Sequence, residues 1–207
     1  VGPRALYAVG GYCGGNLATV EVYDIASSAW SAAAQMGTAR RCHATALLDG
    51  KLYAAGGLAV GSLLATVEAF DVQAGTWAAV APMSVVRESP AGAVVGGKLY
   101  AIGGFSSGAL QSVEAFDPQT GAWAAVAPMA TARHAAGAAV LDGKIYVAGG
   151  YGGGGFGGGH LSSMEIYDPA TNSWAAAAPM ATSRAHFGMA ALDGKIYAAG
   201  GNGGAGT

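Results

Sequence analysis

The chain has 207 residues, of which 52% are apolar and 11% charged, and a formal net charge of −2. A chain this long and this apolar can bury a core, which excludes a disordered polypeptide, and its slight negative charge gives no reason to expect nucleic acid. No apolar run approaches the roughly 20 residues a membrane-spanning helix needs, so membrane insertion is not expected.

The N-terminus carries neither a starting Met nor a signal peptide, and the chain opening on Val1 leads us to expect a missing or processed natural start. An apolar run from Pro3 to Gly11 ends in a glycine pair. Val20-Glu21-Val22-Tyr23-Asp24 follows, then Trp30 six residues after the Asp, Met36 six after the Trp and Arg40 four after the Met. Ala44 to Leu48 reads as a short apolar strand. Asp49-Gly50 then opens a second apolar strand that runs to Gly56-Gly57. Asp-Gly between two apolar runs signals a two-residue hairpin, because a type I′ turn needs positive φ at both central positions.

From there the order repeats. The glycine-pair strand returns at Gly96 to Gly104, Asp142 to Gly150 and Asp193 to Gly201. The Glu-bearing strand returns at Val67 to Asp71, Val113 to Asp117 and Met164 to Asp168. The Trp recurs as Trp77, Trp123 and Trp174, the Met as Met83, Met129 and Met180, and the Arg as Arg87, Arg133 and Arg184. Sixteen residues beyond each Arg stands the first glycine of the next pair. The period is 46 to 51 residues, varied only by the loop between the glycine pair and the Glu. The predicted units are 1–39, 40–86, 87–132 and 133–183, with a partial unit over 184–207. Each unit reads as four short strands: a after the Arg, b into the glycine pair, c through the Glu, and d starting near the Trp. No amphipathic helical period is present.

A glycine pair, the aromatic of a Tyr-Asp or Phe-Asp pair, and a Trp six residues later resemble the kelch repeat, over essentially the whole chain. The resemblance implies an all-β propeller whose blades are four-stranded antiparallel sheets around a central channel. One such sheet cannot bury both faces alone, so its neighbours complete the core. Strand b occurs five times and strands a, c and d four times each, the chain starting and ending on b. Blades of this class imply a larger, six-bladed ring, of which these units are a part. The alternative is a closed four-bladed ring with a spare strand, in which the C-terminal strand a (Ala185 to Leu192) completes the first blade. An open arc would expose the apolar faces of both end blades, ready to pack against further blades or subunits.

Residues present in every unit point to the blade itself. Glu21, Glu68, Glu114 and Glu165, with Arg40, Arg87, Arg133 and Arg184, are read as hydrogen-bonded ion pairs. The other reading has these Args crowding the channel mouth to attract an acidic ligand. Positions that differ between units point to recognition, and two sets emerge on one face of an antiparallel meander. After each Arg stand Arg41-Cys42, Glu88-Ser89, His134-Ala135 and Ala185-His186. After each glycine pair stand Tyr12, Leu58, Phe105, Tyr151 and Asn202. In kelch adaptors this face binds a peptide, which makes a protein partner the expectation and a substrate-receptor role in a ubiquitin-ligase adaptor its most specific form. Arg and His donors beside aromatic anchors suit an acidic segment. A structural or cytoskeletal scaffold subunit is the second expectation.

The Gly-rich loop from Tyr151 to Ser163 lacks the context of a phosphate-binding loop, and reads as a solvent-exposed insertion whose Phe156 could anchor a partner. Cys13 and Cys42 show no metal-site or disulfide-scaffold spacing, which fits free thiols in a reducing, cytoplasmic compartment. Kelch enzymes set the remaining test. A copper oxidase would draw on Tyr12, Cys13, His43, His134, His160 and His186, which share no site spacing. A sugar epimerase would draw on Glu88, His134 and His186. No catalytic motif, metal site or cofactor is expected.

Overall fold

A computed structural model describes residues 5–153 and 158–203. Every regular element in it is a strand. Strands β1 (Ala5–Tyr12), β2 (Asn16–Asp24) and β3 (Ala29–Ala33) form the first sheet. The second sheet runs β4 (Ala44–Leu48), β5 (Lys51–Ala55), β8 (Val67–Asp71) and β9 (Thr76–Val80), with a small hairpin of β6 (Leu58–Ala59) and β7 (Ser62–Leu63) between its middle strands. The third sheet is β10 (Ala91–Val95), β11 (Lys98–Ile102), β12 (Val113–Asp117) and β13 (Ala122–Val126). The fourth is β14 (Gly137–Leu141), β15 (Lys144–Ala148), β16 (Met164–Asp168) and β17 (Ser173–Ala177). β18 (Gly188–Leu192) and β19 (Lys195–Ala199) pair as a two-stranded sheet.

These are the blades of a kelch-type propeller, in the order a-b-c-d that the sequence repeat anticipates. Among the described residues the first blade has no strand a. β18 stays with β19 rather than completing the first blade, so the four-bladed closure weighed above is not what the structure adopts. The a strands β4, β10, β14 and β18 pack on one another and therefore line the axis. At the a–b turns, Asp49 and Gly50 have φ of 49° and 73°, the left-handed pair that a type I′ turn requires. Each c–d turn is closed by the Asp of the Tyr-Asp or Phe-Asp pair. Asp71 Oδ1, for example, accepts the amides of Gln73 and Ala74 at 3.0 and 2.9 Å.

The core lies between blades. Tyr53 and Tyr100 on strands b, Phe116 and Tyr167 on strands c, and Met83 and Met129 are all buried. Each large side chain so buried contributes about 1.5–3 kcal/mol. At the two ends no further blade covers the same face among the described residues. Leu6 and Trp30 are exposed at one end, Leu192 and Tyr197 at the other.

Candidate functional site

The repeated Arg and Glu side chains form the foundation of the site. In the second blade Arg40 Nη1 donates to the carbonyls of Gly56 and Thr66 at 2.8 and 2.9 Å, and its Nη2 to Glu68 Oε1 at 2.7 Å. Glu68 also accepts the amides of Gly37 and Thr38 at 2.6 and 3.1 Å. Arg87 with Glu114 and Arg133 with Glu165 repeat the arrangement, paired at 3.0 and 2.9 Å. Burial pulls the Glu114 carboxyl up, but the Ser84 amide and hydroxyl and the Arg87 guanidinium outweigh it and hold it below the usual range. Glu165 is lowered on the same balance.

Arg40, Arg87 and Arg133 are 0 to 1% exposed. Their place among the partner-binding candidates is corrected accordingly: each guanidinium is spent on bracing a loop and offers nothing to a ligand. Arg184 is the partly exposed exception.

Above this foundation the two variable sets meet residue by residue. The residue after each Arg pairs with the residue after each glycine pair: Arg41 with Leu58, Glu88 with Phe105, His134 with Tyr151, and Ala185 with Asn202. These are two-way backbone bonds, as in Phe105 N to Glu88 O at 2.7 Å and Glu88 N to Phe105 O at 2.9 Å. One position further in, Cys42, Ser89, Ala135 and His186 all sit at positive φ between 50° and 53°. Such a conformation costs a non-Gly residue about 1–2 kcal/mol. It is held by bonds that step from blade to blade: Ser89 N to Cys42 O, Ala135 N to Ser89 O and His186 N to Ala135 O, at 2.7, 2.9 and 3.0 Å. A cleft of about 190 Å³ opens over this arc between Cys42, His43, Ser89, Ala135, His186 and Phe187.

Two side-chain groups crown the face. Arg41 lies over the Tyr12 ring, 4.5 Å from its centroid. Tyr151 sits among three imidazoles, with ring centroids 5.2 Å from His134, 4.6 Å from His160 and 5.8 Å from His186. Phe105 packs edge-on to His134 at 5.3 Å, and Asn202 Nδ2 donates to the Tyr151 hydroxyl at 2.7 Å. His134 Nδ1 and His160 Nε2 are buried without a hydrogen-bond partner among the described residues. Burial, and then the His186 charge, lower the His134 pKa, so this imidazole is neutral at neutral pH.

His160 was not among the residues singled out for the face. It lies in the Gly-rich insertion, and only the bridge between Tyr151 and His160 brings it back to the mouth. Phe156 lies outside the described residues. The Glu88 carboxylate makes no hydrogen bond or ion pair among the described residues, so the structure does not join it to His134 and His186. Cys13 and Cys42 are free and exposed. Among the described residues no three His, Cys, Asp or Glu side chains gather as a metal-holding group, and no helix is long and apolar enough to cross a membrane.

The family model for the KLHDC2/KLHL20/DRC7 Kelch-repeats domain matches residues 2–150, and the Kelch motif matches residues 132–181. The chain belongs to the kelch-repeat family. A mouse relative, the influenza virus NS1A-binding protein homolog, is 50% identical over 44 residues, which are 21% of this chain and 7% of the relative's length. Among solved structures, that of YjhT superposes with a TM-score of 0.82 at 17% identity, over 97% of this chain and 70% of that one. That likeness shows the fold. Membership of this family marks the kelch domain as a protein–protein interaction module.

Proposed function

We propose that the face formed by the d–a and b–c loops binds a peptide segment of a partner protein, and that the segment is acidic. The observation that carries this reading is the Tyr151 cluster. It offers a rigid aromatic anchor with the exposed His186 imidazole beside it, and the Arg41–Tyr12 pair on the same face. Anchors of this kind bind with little loss of side-chain entropy, and cationic or imidazole donors complement carboxylates. The presentation fits a substrate receptor of the ubiquitin-ligase adaptor kind. A scaffold role is the second reading, favoured by the exposed apolar ends of the arc.

The test is an array of acidic decapeptides and their neutral Gln/Asn counterparts, probed with the labelled chain. Preferential capture of acidic peptides, reduced at least tenfold by Arg41→Ala or Tyr151→Ala with Tm nearly unchanged, supports the reading. Equal capture of both peptide sets, or loss of folding in both variants, sinks it.

A further inference from the structure

On the face opposite the mouth, which carries the a–b and c–d turns, a cavity of about 530 Å³ opens between the third and fourth blades. Its floor follows from one cross-strand row. Tyr100 on β11 stands opposite Ala115 on β12, which stands opposite Ala124 on β13. Side chains in one row share a face of the sheet, so two methyl groups beside a phenol ring leave a dent. Tyr167 of the fourth blade walls it, edge-on to Tyr100 with ring centroids 5.6 Å apart.

The polar groups lining this cavity are donors with bonds to spare. Asn172 Oδ1 accepts both the Tyr167 hydroxyl at 2.8 Å and the Ala127 amide at 2.9 Å. Those two bonds fix the carboxamide, and its Nδ2 bonds nothing among the described residues. Lys98 Nζ holds Asp117 Oδ2 at 3.2 Å and keeps further N–H groups free. Tyr100 is 4% exposed, and its hydroxyl has no hydrogen-bond partner among the described residues. Burial raises its pKa, which keeps the hydroxyl protonated and able to donate. Asp117, the carboxylate at the rim, is already met on both oxygens, by Lys98 and by the Gln119 amide.

A counterpart cavity of about 350 Å³ lies between the second and third blades. Tyr53 and Lys51 stand there as Tyr100 and Lys98 do, and the Tyr53 hydroxyl also lacks a partner among the described residues. Phe116 takes the place of Tyr167, however, and Gly121 that of Asn172, so the fixed amide donor is missing. Gly75 and Gly121 hold this turn position at φ of 70° and 67°, and Asn172 holds it at 49°. The fourth blade thus carries a side chain where its two predecessors use glycine, and that side chain lines the larger cavity.

We propose that the cavity between the third and fourth blades binds a small aromatic carboxylate, separately from the face at the mouth. The ring lies over Ala115 and Ala124 against Tyr100 and Tyr167, and the carboxylate takes bonds from Lys98, Asn172 and Tyr100. An apolar cleft with a few convergent polar groups suits a small ligand, and surplus donors select a carboxylate over an amide or an amine.

The test is calorimetric titration of the full chain with hydrocinnamate, beside hydrocinnamide and phenethylamine. Saturable binding of the acid is expected, with the amide and the amine each weaker by about tenfold or more. Lys98→Met should weaken the acid about tenfold and Tyr100→Phe about fivefold. Lys98 is part-exposed and Phe keeps the ring, so thermal melts of both variants should match the parent. Tyr53→Phe should leave binding unchanged. Absence of saturable binding, equal binding of acid and amide, or equal losses from Tyr53→Phe and Tyr100→Phe overturns the inference. So does acid binding that Arg41→Ala abolishes and Lys98→Met does not touch, since that outcome puts the carboxylate at the mouth.

Discussion

The amide of Gly57 donates to the carbonyl of Arg87 at 2.7 Å, across the boundary between two blades. Gly11 with Arg40, Gly104 with Arg133 and Gly150 with Arg184 repeat the bond at 2.9, 2.9 and 2.8 Å. The glycine before each amide receives the same carbonyl face-on: a Cβ on Gly56 would stand 2.6 Å from the Arg87 oxygen. Each glycine pair is therefore a blade-to-blade junction, and the register Arg contributes its backbone to one blade boundary and its side chain to the loop bond that braces the next strand c.

Gly56→Ala should accordingly lower stability by about 2–4 kcal/mol, combining a clash with backbone and a φ of 69°. Gly50→Ala shares the positive φ, at 73°, but its Cβ would meet nothing within 4 Å. That change should cost only about 1 kcal/mol. Urea melts of the two variants separate crowding from backbone strain.

Arg87→Ala leaves the Glu114 carboxylate buried without its charged partner, and should cost about 3–5 kcal/mol. Arg184→Ala removes one hydrogen bond, to the Gly200 carbonyl, at a partly exposed site and should cost less than about 1 kcal/mol. Equal losses at the two positions would show that the internal ion pairs add nothing beyond the shared bond to the glycine carbonyl.

Acid should weaken the fold in two ways. Burial, and then the Arg40 charge, push the His43 pKa down from 6.5 to about 4. Below pH 6.5 the unfolded chain takes up a proton that the folded one refuses, so stability falls by up to about 1.4 kcal/mol per pH unit towards pH 4. Glu114 and Glu165, lowered from 4.5, stabilise fully above that value and lose their contribution as pH falls through their folded pKa. Chemical denaturation from pH 7.5 to 4 should show the first slope, and His43→Gln should reduce it, leaving the part that comes from His134, whose pKa burial also lowers.

Trp123→Phe should lower stability by about 1 kcal/mol beyond its packing loss, because the indole bond to Ala81 at 2.9 Å disappears. Trp30→Phe should be nearly neutral, since Trp30 is 54% exposed and its indole donates to nothing among the described residues. Thermal melts of the pair report whether the repeated Trp works as a cross-blade clasp.

Much of this fold was legible because its signals are local and repeated. Asp49-Gly50 demands a left-handed turn whatever surrounds it, and the glycine pair, Glu, Trp and Arg keep one spacing through each unit. That the two variable sets share one face followed from the alternation of a meander, which places the d–a and b–c loops together; their residue-by-residue pairing did not. The fate of Arg40, Arg87 and Arg133 was not legible in the same way. A repeated Arg fits an open mouth and a buried fork equally well, and only the packing of loops against strand c excludes water from it.

The sequence by itself determined the unit: four strands, their order, their turns and the chemistry placed at each boundary, since these rest on short-range backbone geometry and period. Tertiary structure alone decided which copies of that chemistry are sealed and which are left open. It brought His160 back to Tyr151, His134 and His186 from a loop whose length varies between units, and left the Arg184 guanidinium with one hydrogen-bond acceptor among the described residues where its counterparts have several. Burial and convergence depend on what stands beside a residue in space, which the order of residues along one unit does not contain.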